Sequence, residues 1–79
     1  MLEIKRALIK LLLKEPFLGH LALSVPFNEN KSIPTMCTDG RSVEYNPEFV
    51  LTLSAPELQF VVAHELMHNA LLHTFRRNS

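Results

Sequence analysis

Apolar residues recur at helical spacing along the first fourteen positions. Leu2, Ile4, Leu8, Leu11 and Leu12 mark one side, and Lys5, Arg6, Lys10 and Lys14 mark the other, which predicts an amphipathic helix. Glu15-Pro16 ends it, because the residue before a proline is pushed out of the helical region. Phe17 to Gly19 then read as a connection. From His20 to Phe27 the period shortens to two, with Leu21, Leu23 and Val25 on one face and His20, Ala22 and Ser24 on the other. That alternation predicts a strand, held short or at an edge by Pro26. Asn28 to Ser32 is a polar loop.

Two β-prone runs follow, Ile33 to Thr38 and Arg41 to Tyr45, on either side of Asp39-Gly40. Asp-Gly in that setting predicts a two-residue hairpin turn with positive φ at both residues. Asn46-Pro47 opens a short helical turn through Phe49 and Val50. Ser54 is a good N-cap for the last helix, Glu57 three residues on completes a capping box, and Pro56 falls in the tolerated first turn. Nothing breaks the helix from Ala55 to about Phe75. Its apolar residues go nearly all the way round, which predicts a long helix buried in the core.

The elements add up to an α+β chain with an N-terminal helix, a small sheet and a long C-terminal helix. Seventy-nine residues suit one domain, 1–79, and a chain of this size leaves a modest core that gains from a metal or a partner. Eight basic and eight acidic residues balance, which argues against nucleic-acid binding despite basic clusters at Lys5 to Lys14 and at Arg76-Arg77. The single cysteine, Cys37, excludes an internal disulfide and suits a reducing compartment. The apolar run from Leu8 to Leu13 is too short to span a membrane. The expected location is the cytoplasm, with no membrane partner.

The chemistry lies in His64-Glu65-Leu66-Met67-His68. On a helix, His64 and His68 are separated by one turn plus about 40°, so both rings reach toward one point and can fill two corners of a zinc tetrahedron. Glu65 lies about 100° round from His64, placed to act as general base on water at the metal rather than as a ligand. With four His and seven Glu in the chain, chance supplies only about 0.02 matches to this spacing, and the match falls on a capped helix where the chemistry needs it. The bland alternative, three polar residues on a helix for packing or solubility, is far weaker. A third ligand is less evident. On a continuous helix His73 points about 140° away from His68, and no glycine turns the chain back. His20, Cys37, Asp39 and Glu44 are the other candidates from the sheet side.

An ordered set of short motifs extends the reading. Pro16-Phe17-Leu18-Gly19, Thr38-Asp39-Gly40-Arg41, Tyr45-Asn46-Pro47-Glu48-Phe49-Val50, Leu53-Ser54 and the histidine motif are followed by Ala70-Leu71, His73 and Arg76-Arg77. In this the chain, from about Pro16 to Arg77, resembles the amino-terminal part of a bacterial metallopeptidase-type domain that precedes von Willebrand factor A-like domains. The resemblance implies a zincin-like fold, zinc as cofactor, His64 and His68 as metal ligands and Glu65 as catalytic base. It implies a peptide or protein substrate, paired by β-addition to the strand at Ile33 to Thr38, and an AAA+ ATPase or a von Willebrand factor A-domain protein as partner. It also places the third ligand, an acidic residue, beyond the metal helix. A chain stopping at Ser79 is then expected to be either a truncated form, which holds zinc weakly and self-associates to cover its metal helix, or a natural short form that completes its site otherwise. Two function classes follow: a zinc-dependent peptidase, or an inactive domain that binds a protein partner or dimerises.

Overall fold

A computed structural model describes residues 1–77, with side chains described through residue 72. His73, Phe75 and Arg76-Arg77 therefore lie outside the described side chains. The elements are α1 (Leu2–Lys14), α2 (Pro16–Ser24), β1 (Phe27–Glu29), β2 (Met36–Thr38), β3 (Val43–Tyr45), α3 (Pro47–Leu51) and α4 (Ala55–Arg77). The class is α+β, as expected. No helix among the described residues is long and apolar enough to cross a membrane.

Ile4, Ala7 and Leu11 are the buried positions of α1, while Leu2 and Leu12 are exposed. The buried stripe is therefore rotated from the expected one and takes in Ala7, whose small side chain lets neighbouring helices approach. Glu15-Pro16 does end α1. Helix α2 then begins at once, with Pro16 in its first turn, and Gly19 donates its N–H to the Glu15 carbonyl at 2.9 Å.

The strand expected over His20 to Phe27 is a correction. Residues through Ser24 are helical, and only Phe27 of that run is in a strand. Leu, Ala and His all suit a helix, and Pro16 supplies a preset start. Gly19 and Ala22, three apart, form the buried face of α2, a period that the accidental leucine alternation conceals. The extended conformation begins only at Val25, φ −110° and ψ 119°, where the following Pro26 demands it. The polar loop expected from Asn28 is also shortened, because β1 runs through Glu29.

The sheet has the order β1-β3-β2. β1 pairs parallel with β3, Phe27 opposite Val43, and β2 pairs antiparallel, Thr38 opposite Val43 and Met36 opposite Tyr45. Residues 39–42 therefore make a four-residue connection, not the expected two-residue turn. Gly40 alone has positive φ, 92°. Asp39 keeps negative φ and closes the connection with its side chain, Oδ1 accepting from the N–H groups of Arg41 at 2.9 Å and Ser42 at 3.1 Å.

Asn46 caps α3, its Oδ1 accepting from Glu48 N at 2.9 Å. The capping box of α4 forms as the sequence predicts. Ser54 N–H donates to Glu57 Oε1 at 2.8 Å, and Glu57 N–H donates to Ser54 Oγ at 3.3 Å. The Ser54 backbone amide, and after it the Ser54 hydroxyl, hold the Glu57 carboxyl below its ordinary pKa. One cluster of buried residues joins α1 (Ile4, Ala7, Leu11), α2 (Ala22), the sheet (Met36, Val43, Tyr45), α3 (Val50) and α4 (Leu58, Val62, Leu66).

Gly19 lets α2 approach α1 closely: a Cβ there would overlap the backbone and side chain of Leu12. Gly19→Ala is expected to force these helices apart and to lower unfolding stability by about 1–3 kcal/mol, measured by urea denaturation against the parent chain.

Candidate metal site on helix α4

Helix α4 is not buried all round. Leu58, Val62, Leu66 and Asn69, each at most 4% exposed, form one inward stripe. Phe60, Met67 and Leu71 are between 57% and 72% exposed, so the expected core helix is a half-buried one. The elements that pack against α4, namely α1, α2, β2 and β3, cover one side of it. His64 and His68 are exposed on the other side, and Glu65, between the two, is half-buried.

The two imidazoles converge as the i, i+4 spacing predicts. His64 Nε2 and His68 Nε2 are 2.9 Å apart, and the ring centroids are 4.4 Å apart, edge to face. Phe60, one turn before, stacks on His64 with centroids 6.2 Å apart, which steadies that ring. Two nitrogens bound to one zinc ion in tetrahedral geometry sit roughly 3.3–3.4 Å apart. A small opening of the pair would thus admit the cation, and the donor set fits half of a zinc site.

The other half is not provided by the sheet. Among the described residues no group of three His, Cys, Asp or Glu side chains is arranged to hold a metal. His20 lies exposed on α2, Asp39 in the 39–42 connection, Cys37 on β2 and Glu44 on β3. Glu44 instead accepts a hydrogen bond from Asn30 Nδ2, which ties the segment after β1 to the central strand.

β2 does come close to the motif. Partial desolvation, then the charges of Glu44, Glu65 and Asp39, raise the Cys37 thiol above its ordinary pKa. Glu65 is thus within electrostatic reach of β2, an edge strand of the sheet. A residue that sequence reasoning passed over fixes this placement. Asn69 is the buried polar residue of α4, 3% exposed, and its Nδ2 donates to Thr38 Oγ1 at 2.9 Å. The available signal was its place on the stripe with Leu58, Val62 and Leu66, where an amide needs a partner. Thr38 Oγ1 also donates to the Ser42 carbonyl at 2.7 Å and accepts from Gly40 N at 3.2 Å. A cleft of about 600 Å³ opens on that inward side, lined by Leu21, Val25, Arg41, Asn69 and Ala70 among others. It holds none of the three motif residues.

Residues 2–79 match the family whose description reads "Putative metallopeptidase domain". The chain belongs to this family. The metallopeptidase resemblance of its short motifs is thereby borne out over nearly the whole chain. No curated protein and no solved structure gives a significant match.

Two outcomes are expected from this geometry. Asn69→Ala removes one of the three hydrogen bonds on the Thr38 hydroxyl and cuts the link between α4 and β2, lowering stability by about 0.5–1.5 kcal/mol in thermal or urea unfolding. Glu44→Gln removes a negative charge facing Cys37, so more thiolate forms at a given pH, and alkylation by iodoacetamide at pH 8 speeds up by roughly two- to threefold.

Proposed function

We propose that the chain is a zinc-dependent, zincin-like metallopeptidase domain, with His64 and His68 as metal ligands and Glu65 as general base. The observation that carries the reading is the convergence of the two Nε2 atoms to 2.9 Å on one exposed face of α4, with Glu65 adjoining. Membership of a metallopeptidase family supports the same chemistry. A bound zinc ion supplies Lewis acidity toward a carbonyl oxygen and toward water.

The protein's own groups do the rest. The Glu65 carboxylate accepts the proton released from the attacking water and returns it to the departing amine nitrogen. Its half-buried position beside β2 limits how far the carboxylate can swing. β2 offers the unpaired side of an edge strand, where an extended peptide adds through main-chain hydrogen bonds. A peptide lying there passes Cys37, and with it the neighbourhood of Glu65. The substrate class is accordingly an extended peptide or an unfolded protein segment.

A second reading, a non-catalytic domain that binds a partner, draws on two observations. No third ligand is present among the described residues, and Phe60, Met67 and Leu71 are exposed around the motif. The test separates the two readings. Glu65→Gln is expected to keep zinc binding while lowering peptide hydrolysis by at least about 10²-fold. His68→Ala is expected to lose both. Hydrolysis by the parent chain that Glu65→Gln leaves unchanged would remove Glu65 from the mechanism. Zinc bound by the monomer without any turnover would favour the partner-binding domain.

A further inference from the structure

The exposed side of α4 combines two features that are each incomplete. His64 and His68 provide two imidazole nitrogens, and no described residue adds a third donor. On the same side, Phe60 lies one turn before His64, while Met67 and Leu71 flank His68, all three exposed. At about 100° per residue, Phe60, His64, Met67 and Leu71 fall within roughly 60° of one another, with His68 beside them. An apolar ridge thus runs through the metal ligands.

We propose that a divalent cation, zinc foremost, bridges two copies of this chain through His64 and His68 of each. A two-fold axis through the cation makes the contact isologous, so each copy offers the other the same surface. The two pairs of imidazoles then fill a tetrahedral set, the full coordination of a closed zinc site. Around the cation, Phe60, Met67 and Leu71 of one copy meet the ridge of the other. These three side chains offer on the order of 400 Å² per copy, about half of the roughly 800 Å² per partner that specific dimers bury. The ridge alone is therefore too small to hold the pair, and the dimer depends on the cation.

The inference rests on the reading that His64 and His68 bind zinc, and it adds a consequence for activity. With four imidazoles on the cation no position is open to water, so the bridged dimer is a latent form. Catalysis requires that a substrate or a further ligand separate the copies.

Zinc titration of the purified 79-residue chain, followed together by calorimetry and sedimentation, tests the proposal. The expected result is saturation at 0.5 zinc per chain, with the mass rising from 9.0 kDa to twice that value and returning on chelation. His64→Ala and His68→Ala, both at exposed positions, are expected to fold as the parent does by circular dichroism and to stay monomeric with zinc. Leu71→Lys keeps both imidazoles and is expected to raise the zinc concentration needed for dimerisation on the order of tenfold. An unchanged midpoint in that variant would overturn the docking face. Zinc bound one to one by a monomer would overturn the bridge while leaving the metal reading of the two histidines intact. A dimer that forms without zinc, and persists in the histidine variants, would overturn the bridge as well. No zinc binding at all would sink both.

Discussion

Leu58, Val62, Leu66 and Asn69 recur on one side of α4, and the burial of that side organises the molecule. Helices α1 and α2 and strands β2 and β3 all pack against α4. Burying three aliphatic side chains of this kind contributes on the order of 1.5–3 kcal/mol each, a large share of what a chain of this size can gather. The same stripe sets where the histidine motif points. Once it faces inward, the helical period alone turns His64 and His68 outward and leaves Glu65 at the boundary, beside β2. The histidines need no framework of their own, because the core aims them.

Asn69 makes this arrangement specific. Aliphatic side chains bury well over a range of rotations, but an amide on the stripe is satisfied only where Thr38 meets it. Its hydrogen bond fixes how far β2 lies along α4, and so which residue of the strand stands near Glu65. A buried polar pair is costly when unpaired, and that cost makes a shifted packing unfavourable.

Much of this was legible in the sequence, for reasons that differ from element to element. The Ser54–Glu57 box and the Asn46 cap are local: each needs a side chain and a backbone N–H two or three residues away, and the spacing determines both. The convergence of His64 and His68 is likewise a property of one helix. What the sequence misleads about depends on contacts between segments. The leucine alternation from Leu21 to Val25 imitates a strand, and only the meeting of Gly19 with Leu12 makes the helical solution compelling. Asp-Gly marks a turn correctly, but its length follows from Thr38 pairing with Val43. The apolar residues of α4 predict a helix in the core, whereas α1, α2, β2 and β3 pack on one side of it only and leave Phe60, Met67 and Leu71 exposed.

Thr38 places one more constraint on the chain. Its hydroxyl donates one hydrogen bond and accepts two, from groups in the 39–42 connection and from α4, which is all that a hydroxyl can do. The connection is on the surface, where loops ordinarily tolerate insertions. Here an added residue would move Gly40 and Ser42 away from the oxygen that also holds the helix. Natural variation in loop length among relatives should therefore be rare between Asp39 and Ser42, although the connection lies at the surface.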